Sequence, residues 1–214
     1  VTVLFVAGTG TEVGKTWVAC EVARAARGSG RRVAARKPAQ SYDAGADGEP
    51  LAATDADLLG AASGEAPTTV CPSHRWYPVA MAPPMAADAL DRPPVRLADL
   101  VAETTWPQGC DLVVVEAAGG VRSPIAHDGD GVDLAQRLAP DLVLLVADAT
   151  LGTINLTRLS VDALTPLPVL VILNRYDDAD DLQRRNRAWL EHHAGLDVVV
   201  HPADALHHPS LTLL

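Results

Sequence analysis

Apolar runs of five or six residues alternate with longer helical stretches along most of the chain. Val3–Ala7 leads into a segment from Lys15 to about Ala26, in which Val18, Val22 and Ala26 fall on one helical face. A Gly28-Ser29-Gly30 break follows, then a short run at Arg32–Ala35. Further runs stand at Leu112–Val115, Leu142–Ala147, Val169–Leu173 and Val198–Val200. Short stretches of Val, Leu and Ile without strict alternation are what strands buried on both faces look like. Their alternation with helices predicts an α/β fold with a mostly parallel central sheet and helices on both faces. No repeat or Ser/Gly linker divides the chain, so one domain spanning residues 1–214 is expected.

Two stretches break the rhythm. Ser41–Pro50 is rich in Gly and Asp and reads as a loop. Pro67–Pro94 holds seven of the 16 prolines, which predicts irregular chain or short helices. From Ala203 onward the signals are weak.

Composition narrows the function classes. An apolar fraction of 48% is enough for a buried core and excludes a disordered chain. The formal charge of −10 argues against phosphate-backbone binding, which needs clustered cations. No apolar run approaches the roughly 20 residues of a membrane-spanning helix. Cys20, Cys71 and Cys110 are too widely spaced for a disulfide framework or a zinc pattern. The chain as given opens directly on a strand-like run with no signal segment, so a cytoplasmic protein without nucleic-acid or membrane partners is expected. Among the 17 basic residues, Lys15 and Lys37 are the only lysines. Where arginine serves as the general surface cation, a retained lysine points to a need for a compact point charge.

Both lysines fall at chemically suggestive positions. Gly8-Thr9-Gly10-Thr11-Glu12-Val13-Gly14-Lys15-Thr16 is a variant of the phosphate loop G-x-x-x-x-G-K-[ST], with one extra residue between Gly8 and Gly14. It follows a strand and opens a helix, so backbone amides and the helix N-terminus face a phosphate. Lys15 would reach the β- and γ-phosphates of a nucleoside triphosphate and the Thr16 hydroxyl would hold Mg²⁺. A dinucleotide fingerprint starting at Gly8-x-Gly10 would require a small residue where Val13 stands. Lys37 precedes Pro38, which keeps it out of a helix and sets it just beyond a strand's C-terminal end, where open α/β sheets bind ligands. Glu116 ends the run Leu112–Val115 and is followed by Ala117-Ala118-Gly119-Gly120, a carboxylate placed for Mg²⁺. Asp55 is a further candidate, in competition with Asp43, Asp47 and Asp57.

Other patterns fail. Asp128-Gly129-Asp130-Gly131-Val132-Asp133 has Val132 at a ligand position and no closing Glu, so it is not a calcium loop; Asp133 reads instead as a helix cap. His192-His193 and His207-His208 are adjacent pairs that cannot share a helix face.

Together these segments resemble the dethiobiotin synthase family, ATP-dependent carboxylases that close the ureido ring in biotin synthesis. The phosphate loop with its extra residue and its Glu12, Lys37-Pro38-Ala39-Gln40-Ser41, and Val115-Glu116-Ala117-Ala118-Gly119-Gly120 carry the likeness. So do Leu151-Gly152-Thr153-Ile154-Asn155 and Asn174, which closes the Val169–Leu173 strand. The resemblance implies a P-loop fold, ATP and Mg²⁺ as cofactors, and a homodimer acting on a diamine and CO₂. It implies nucleotide contacts from Gly10, Thr11, Glu12, Val13, Gly14, Lys15, Thr16, Glu116 and, at adenine, Asn174. It implies Mg²⁺ held by Thr16, Asp55 and Glu116, and Lys15, Lys37 and Ser41 as catalytic residues. Substrate would be held by Thr11, Lys37 and Ser41, with Gly152, Thr153, Ile154 and Asn155 taking its carboxylate across the dimer interface. Three departures stand out: Tyr42 and Ala117 occupy family glycine positions, and Pro67–Pro94 matches loosely. Two other readings remain open. One is a related P-loop ligase for another amine. The other is a ParA/MinD-like ATPase switch, which predicts a second lysine early in the loop, where Thr9 and Gly10 stand, and a basic or amphipathic tail, where Leu206–Leu214 has no cation but histidine.

Overall fold

The computed structural model describes residues 1–211. Its strands are β1 (Thr2–Gly8), β2 (Val33–Arg36), β3 (Gln40–Ser41), β4 (Trp76–Tyr77), β5 (Leu112–Glu116), β6 (Pro124–Ala126), β7 (Gly129–Asp130), β8 (Leu142–Asp148), β9 (Val169–Asn174) and β10 (Val198–Val199). The helices are α1 (Lys15–Gly28), α2 (Asp55–Ser63), α3 (Pro67–Val70), α4 (Pro83–Ala89), α5 (Leu97–Glu103), α6 (Gly131–Leu138), α7 (Thr153–Leu164) and α8 (Asp181–His192). Six strands form the central sheet in the order β10-β9-β8-β1-β5-β2, every neighbour parallel. The strands β3 with β4 and β6 with β7 make two small ribbons beside it.

Strand alternation explains why the runs show no polar face. Along β1, Val3, Phe5 and Ala7 enter one core while Leu4 and Val6 enter the other. The first core is completed by Ala86 and Ala87 of α4, Leu97 and Leu100 of α5, Val132 and Leu134 of α6, Leu164 of α7 and Leu190 of α8. The second takes Val18, Ala19, Val22 and Ala26 of α1 with Ala56, Leu59 and Ala62 of α2. Each fully buried Leu, Val or Phe stabilises the fold by about 1.5–3 kcal/mol, so both faces must be apolar. The doubly covered parallel sheet agrees with the expectation from sequence.

Pro67–Pro94 resolves into α3, a 3₁₀ turn, β4 and α4, with Pro67 and Pro83 at first-turn positions where a missing N–H costs nothing. One local expectation is corrected. The cap of α6 is Asp130, whose carboxylate accepts from the amides of Val132 and Asp133. Asp133 lies at the third helical position and its carboxylate accepts from the Asp130 amide, closing a reciprocal capping box. Ala117 avoids positive φ, so the residue in place of glycine is accommodated without strain. Tyr42 packs edge-on to Trp76, with ring centroids 6.4 Å apart, and its amide donates to the Tyr77 carbonyl.

Candidate functional site

The C-terminal ends of β1, β2 and β5 open onto a cavity of about 780 Å³, within the usual range of ligand pockets. Its floor is the loop between β1 and α1. Gly14 caps α1 at φ +92°, a left-handed conformation that glycine adopts without steric cost. A Cβ there would stand 2.1 Å from Asn174 Nδ2, so a side chain at this position would displace Asn174 from its bond to the Val13 carbonyl. No side chain caps α1 and its first turn carries no acid. Its free amides and partial positive charge are therefore left for an anion. Lys15 Nζ donates to the Gly10 carbonyl at 2.9 Å, folding the lysine over the loop. Burial, and then the Lys37 ammonium beside it, bring the Lys15 pKa down to about 8.

Above the loop lies a buried charge cluster. Lys37, the first residue after β2, is 2% exposed. Its Nζ stands 2.7 Å from Glu116 Oε1 and 2.7 Å from Asp55 Oδ2. Thr16 Oγ1 lies 2.8 Å from Asp55 Oδ1 and 2.9 Å from Glu116 Oε1, able to donate its one proton to either. Burial favours a neutral Lys37, but the two carboxylates outweigh it and hold the ammonium charged. Burial also opposes ionisation of Asp55 and is overcome by Lys37, so its pKa lies below the usual range. Glu116 goes the other way: complete burial, with Asp55 as a second negative neighbour, outweighs the help from Lys37 and raises its pKa. Counting direct contacts alone, one ammonium meets two carboxylates and leaves an excess negative charge there, with Lys15 the next cation.

That excess is where a cation fits. Glu116 Oε2 is buried with no hydrogen-bond partner, an omission costly enough to call for a ligand. The Thr16 hydroxyl, Asp55 and Glu116 offer only oxygen donors, the set preferred by Mg²⁺. Among the described residues no group of three or more His, Cys, Asp or Glu side chains forms a metal cage. Mg²⁺ commonly takes just one or two carboxylates and completes its shell with phosphate and water.

The structure also separates Asp55 from its rivals. Thr54 and Asp57 form the capping box of α2, which occupies Asp57. Asp43 and Asp47 lie exposed in the preceding loop. Asp55, at the first position of α2, faces the cavity.

Of the residues proposed from sequence, Thr11, Glu12, Gly14, Lys15, Thr16, Lys37, Ser41, Asp55 and Glu116 line the cavity. Gly10 and Val13 form the loop behind it. Asn174, 5% exposed, does not line the cavity; its Nδ2 donates to the Val13 carbonyl at 2.9 Å and braces the loop from behind. Gly152, Thr153, Ile154 and Asn155 sit at the start of α7, also outside the cavity lining. Thr153 is buried there, while Leu156 and Leu159 leave an exposed apolar strip on α7, with Leu151 exposed in the turn before it.

Lining features with no assigned role in the sequence reading include Gln40, Arg175, Ser123 and the segment Ala80–Pro83. Ser41 Oγ donates to the Met81 carbonyl, which ties the second lysine segment to that wall. Arg175, at φ +57°, reaches back to donate to the Glu12 carbonyl at 3.1 Å. Arg175 stands directly after Asn174 and Gln40 within Lys37–Ser41, but neither carries a signal of its own in the sequence.

Known proteins resemble this chain in sequence and in fold. A family model described as an AAA domain matches residues 2–201. The dethiobiotin synthetase BioD of Anaeromyxobacter dehalogenans (strain 2CP-C) is 43% identical over 184 residues, 83% of this chain and 78% of that protein. The Caulobacter vibrioides (strain NA1000 / CB15N) protein of the same name is 39% identical, over 85% of this chain and 83% of its own. Among solved structures, the septum site-determining protein MinD from Pyrococcus horikoshii OT3, complexed with Mg-ADP, superposes with a TM-score of 0.51 at 14% identity, covering 98% of this chain and 85% of that one. The cell division protein FtsY from Thermotoga maritima gives 0.51 at 19% identity, covering 99% and 69%. Those two likenesses speak for the P-loop fold alone. With a phosphate loop, a buried lysine–carboxylate cluster and relatives this similar over more than four-fifths of its length, the chain belongs to the ATP-dependent dethiobiotin synthetase family.

Proposed function

We infer that this chain carboxylates 7,8-diaminononanoate with CO₂ at the expense of ATP, closing the ureido ring to give dethiobiotin, ADP and phosphate. One amine of the diamine takes up CO₂ as a carbamate. A carbamate oxygen attacks the γ-phosphorus and the bond to ADP breaks, leaving a carbamic–phosphoric anhydride. The second amine then attacks the anhydride carbon, expels phosphate and closes the ring. The observation that carries this reading is the convergence of Lys15, Lys37, Thr16, Asp55 and Glu116 on one cavity.

The protein's part is to position groups and neutralise charge. Lys15 and the amides of Gly10–Thr16 receive the phosphates, with Thr11 and Glu12 orienting them. Lys37 meets the charge that shifts from the γ-phosphoryl group onto the anhydride, a task suited to a mobile point charge. Ser41 lines the side on which the diamine enters. Thr16, Asp55 and Glu116 would hold Mg²⁺, which when bound supplies positive charge against the phosphate oxygens. Asn174 serves the nucleotide by fixing the loop and, in this reading, by contacting adenine. The exposed Leu151, Leu156 and Leu159 strip supports a homodimer in which Gly152–Asn155 meet the partner's substrate. Sedimentation at twice 22.4 kDa would bear this out, and a monomer would refute it. No helix among the described residues is long and apolar enough to cross a membrane, and we place the reaction in the cytoplasm.

The test is ATP turnover by the purified chain with bicarbonate, Mg²⁺ and the diamine, with product mass recorded. Ring closure adds the mass of CO₂ less that of water. Phosphate release without that gain would sink the assignment.

A further inference from the structure

We propose that Gln40 is a substrate-positioning residue whose amide NH₂ donates a hydrogen bond to an oxygen of the substrate carbamate. The proposal rests on the reading of function given above. Among the described residues two buried side-chain atoms have no hydrogen-bond partner, Glu116 Oε2 and Gln40 Nε2. Both residues line the same cavity. The first is an acceptor in want of a cation. The second is a donor in want of an acceptor, on a side chain only 2% exposed.

The orientation of the amide is fixed by its other end. Gln40 Oε1 accepts from the Ala56 amide at 2.9 Å. A backbone N–H can only donate, so the oxygen must face Ala56 and the NH₂ group must point elsewhere. Ala56 follows Asp55 in the first turn of α2, so this bond also fixes the end of the helix that presents Asp55. Gln40 thus spans two parts of the site: it holds the Asp55 turn with its oxygen and leaves a neutral donor to spare.

The acceptor follows from what the rest of the wall supplies. The phosphate loop, Lys15 and the start of α1 already offer donors to the nucleotide. Gln40 lies on the other segment, three residues beyond Lys37 and directly before Ser41. The group to be held there is a planar carbamate with two oxygens, of which one attacks phosphorus while the other remains an acceptor. A neutral amide suits the second oxygen, because it orients the carbamate without withdrawing from the attacking atom the electron density it needs. In this step the attacking oxygen forms the new P–O bond, the leaving ADP oxygen takes the electron pair of the bond that breaks, and Gln40 gains and loses no proton.

Two variants of the full chain separate this role from a structural one. Gln40→Glu keeps an oxygen for the Ala56 amide and removes the NH₂, while Gln40→Met removes both without adding charge. We expect each variant to lower kcat/KM for the diamine by roughly tenfold or more, the usual effect of losing a hydrogen bond to a charged group. Affinity for a non-hydrolysable ATP analogue, measured by calorimetry, should stay within about threefold of wild type, since that hydrogen bond is not made to the nucleotide. Both variants should lower the melting temperature, Gln40→Met by losing the bond to the Ala56 amide and Gln40→Glu by burying a carboxylate near Asp55, so the split between diamine kcat/KM and analogue affinity carries the test. Wild-type kcat/KM for the diamine in either variant overturns the proposal. So does an equal loss of analogue affinity, which would assign the acceptor to the nucleotide. A wild-type chain that consumes ATP and forms no ring overturns the reading of function, and this proposal with it. A ring-forming wild type with an unimpaired variant overturns the proposal alone.

Discussion

Removing the ammonium of Lys37 should expose how the charge cluster is balanced. In Lys37→Met two carboxylates, one of them fully buried, lose the cation that stands 2.7 Å from each. Deleting one partner of a buried ion pair costs about 3–5 kcal/mol, because the remaining charge is stranded in a medium that solvates it poorly. The loss should be strongly pH-dependent. Glu116 already has a raised pKa from burial, and without Lys37 it rises further. A carboxyl whose folded pKa exceeds its unfolded value binds more protons in the native state, so the native state weakens as pH rises between the two values. Each pH unit in that window is worth about 1.4 kcal/mol. Urea unfolding of the variant at pH 5.5 and pH 8, followed by tryptophan fluorescence, should therefore show a lower midpoint at the higher pH, by a larger margin than in the wild type. Adding Glu116→Gln should restore much of the stability, since a neutral amide removes the stranded charge. A loss below about 1 kcal/mol at pH 8, typical of an exposed pair, would refute the argument. Equal loss at both pH values would refute it too.

Further tests address the loop. Nucleotide binding needs a charged Lys15, whose pKa lies at about 8 in the free protein. Affinity for a non-hydrolysable ATP analogue should hold below pH 8 and weaken above it by up to tenfold per unit, and Lys15→Met should abolish the dependence. A flat profile between pH 7 and pH 9.5 would contradict the placement of this proton. Gly14→Ala puts a Cβ 2.1 Å from Asn174 Nδ2 at φ +92°. It should abolish analogue binding and lower the melting temperature, and unaltered calorimetric affinity would show that the loop adopts another path.

Much of the site was legible because its signals are local. The phosphate loop is a contiguous segment, and Glu116 and Asn174 each close a strand whose apolar run marks its end. Lys37 was placed by Pro38 and by its rarity. Asp55 was not separable from Asp43, Asp47 and Asp57 in sequence, because what singles it out is a capping box that occupies Asp57. The cap of α6 is ambiguous in sequence for a related reason: Asp130 and Asp133 bond each other reciprocally, and spacing alone does not say which comes first. Gln40 and Arg175 were silent because their significance lies in partners 16 and 163 residues away, the Ala56 amide and the Glu12 carbonyl.

The buried cysteines have a practical consequence. Burial pushes the thiol of Cys20 to about 11 and that of Cys71 to about 12, and raises Cys110 as well. At neutral pH roughly one Cys20 thiol in ten thousand is ionised, so alkylating probes find almost no nucleophile in the native chain. A cysteine introduced at Leu156, on the exposed strip of α7, would be labelled selectively without first removing the native three. Because the proposed homodimer would cover this strip, labelling of that cysteine should fall as two copies meet, so the labelling yield itself would report assembly.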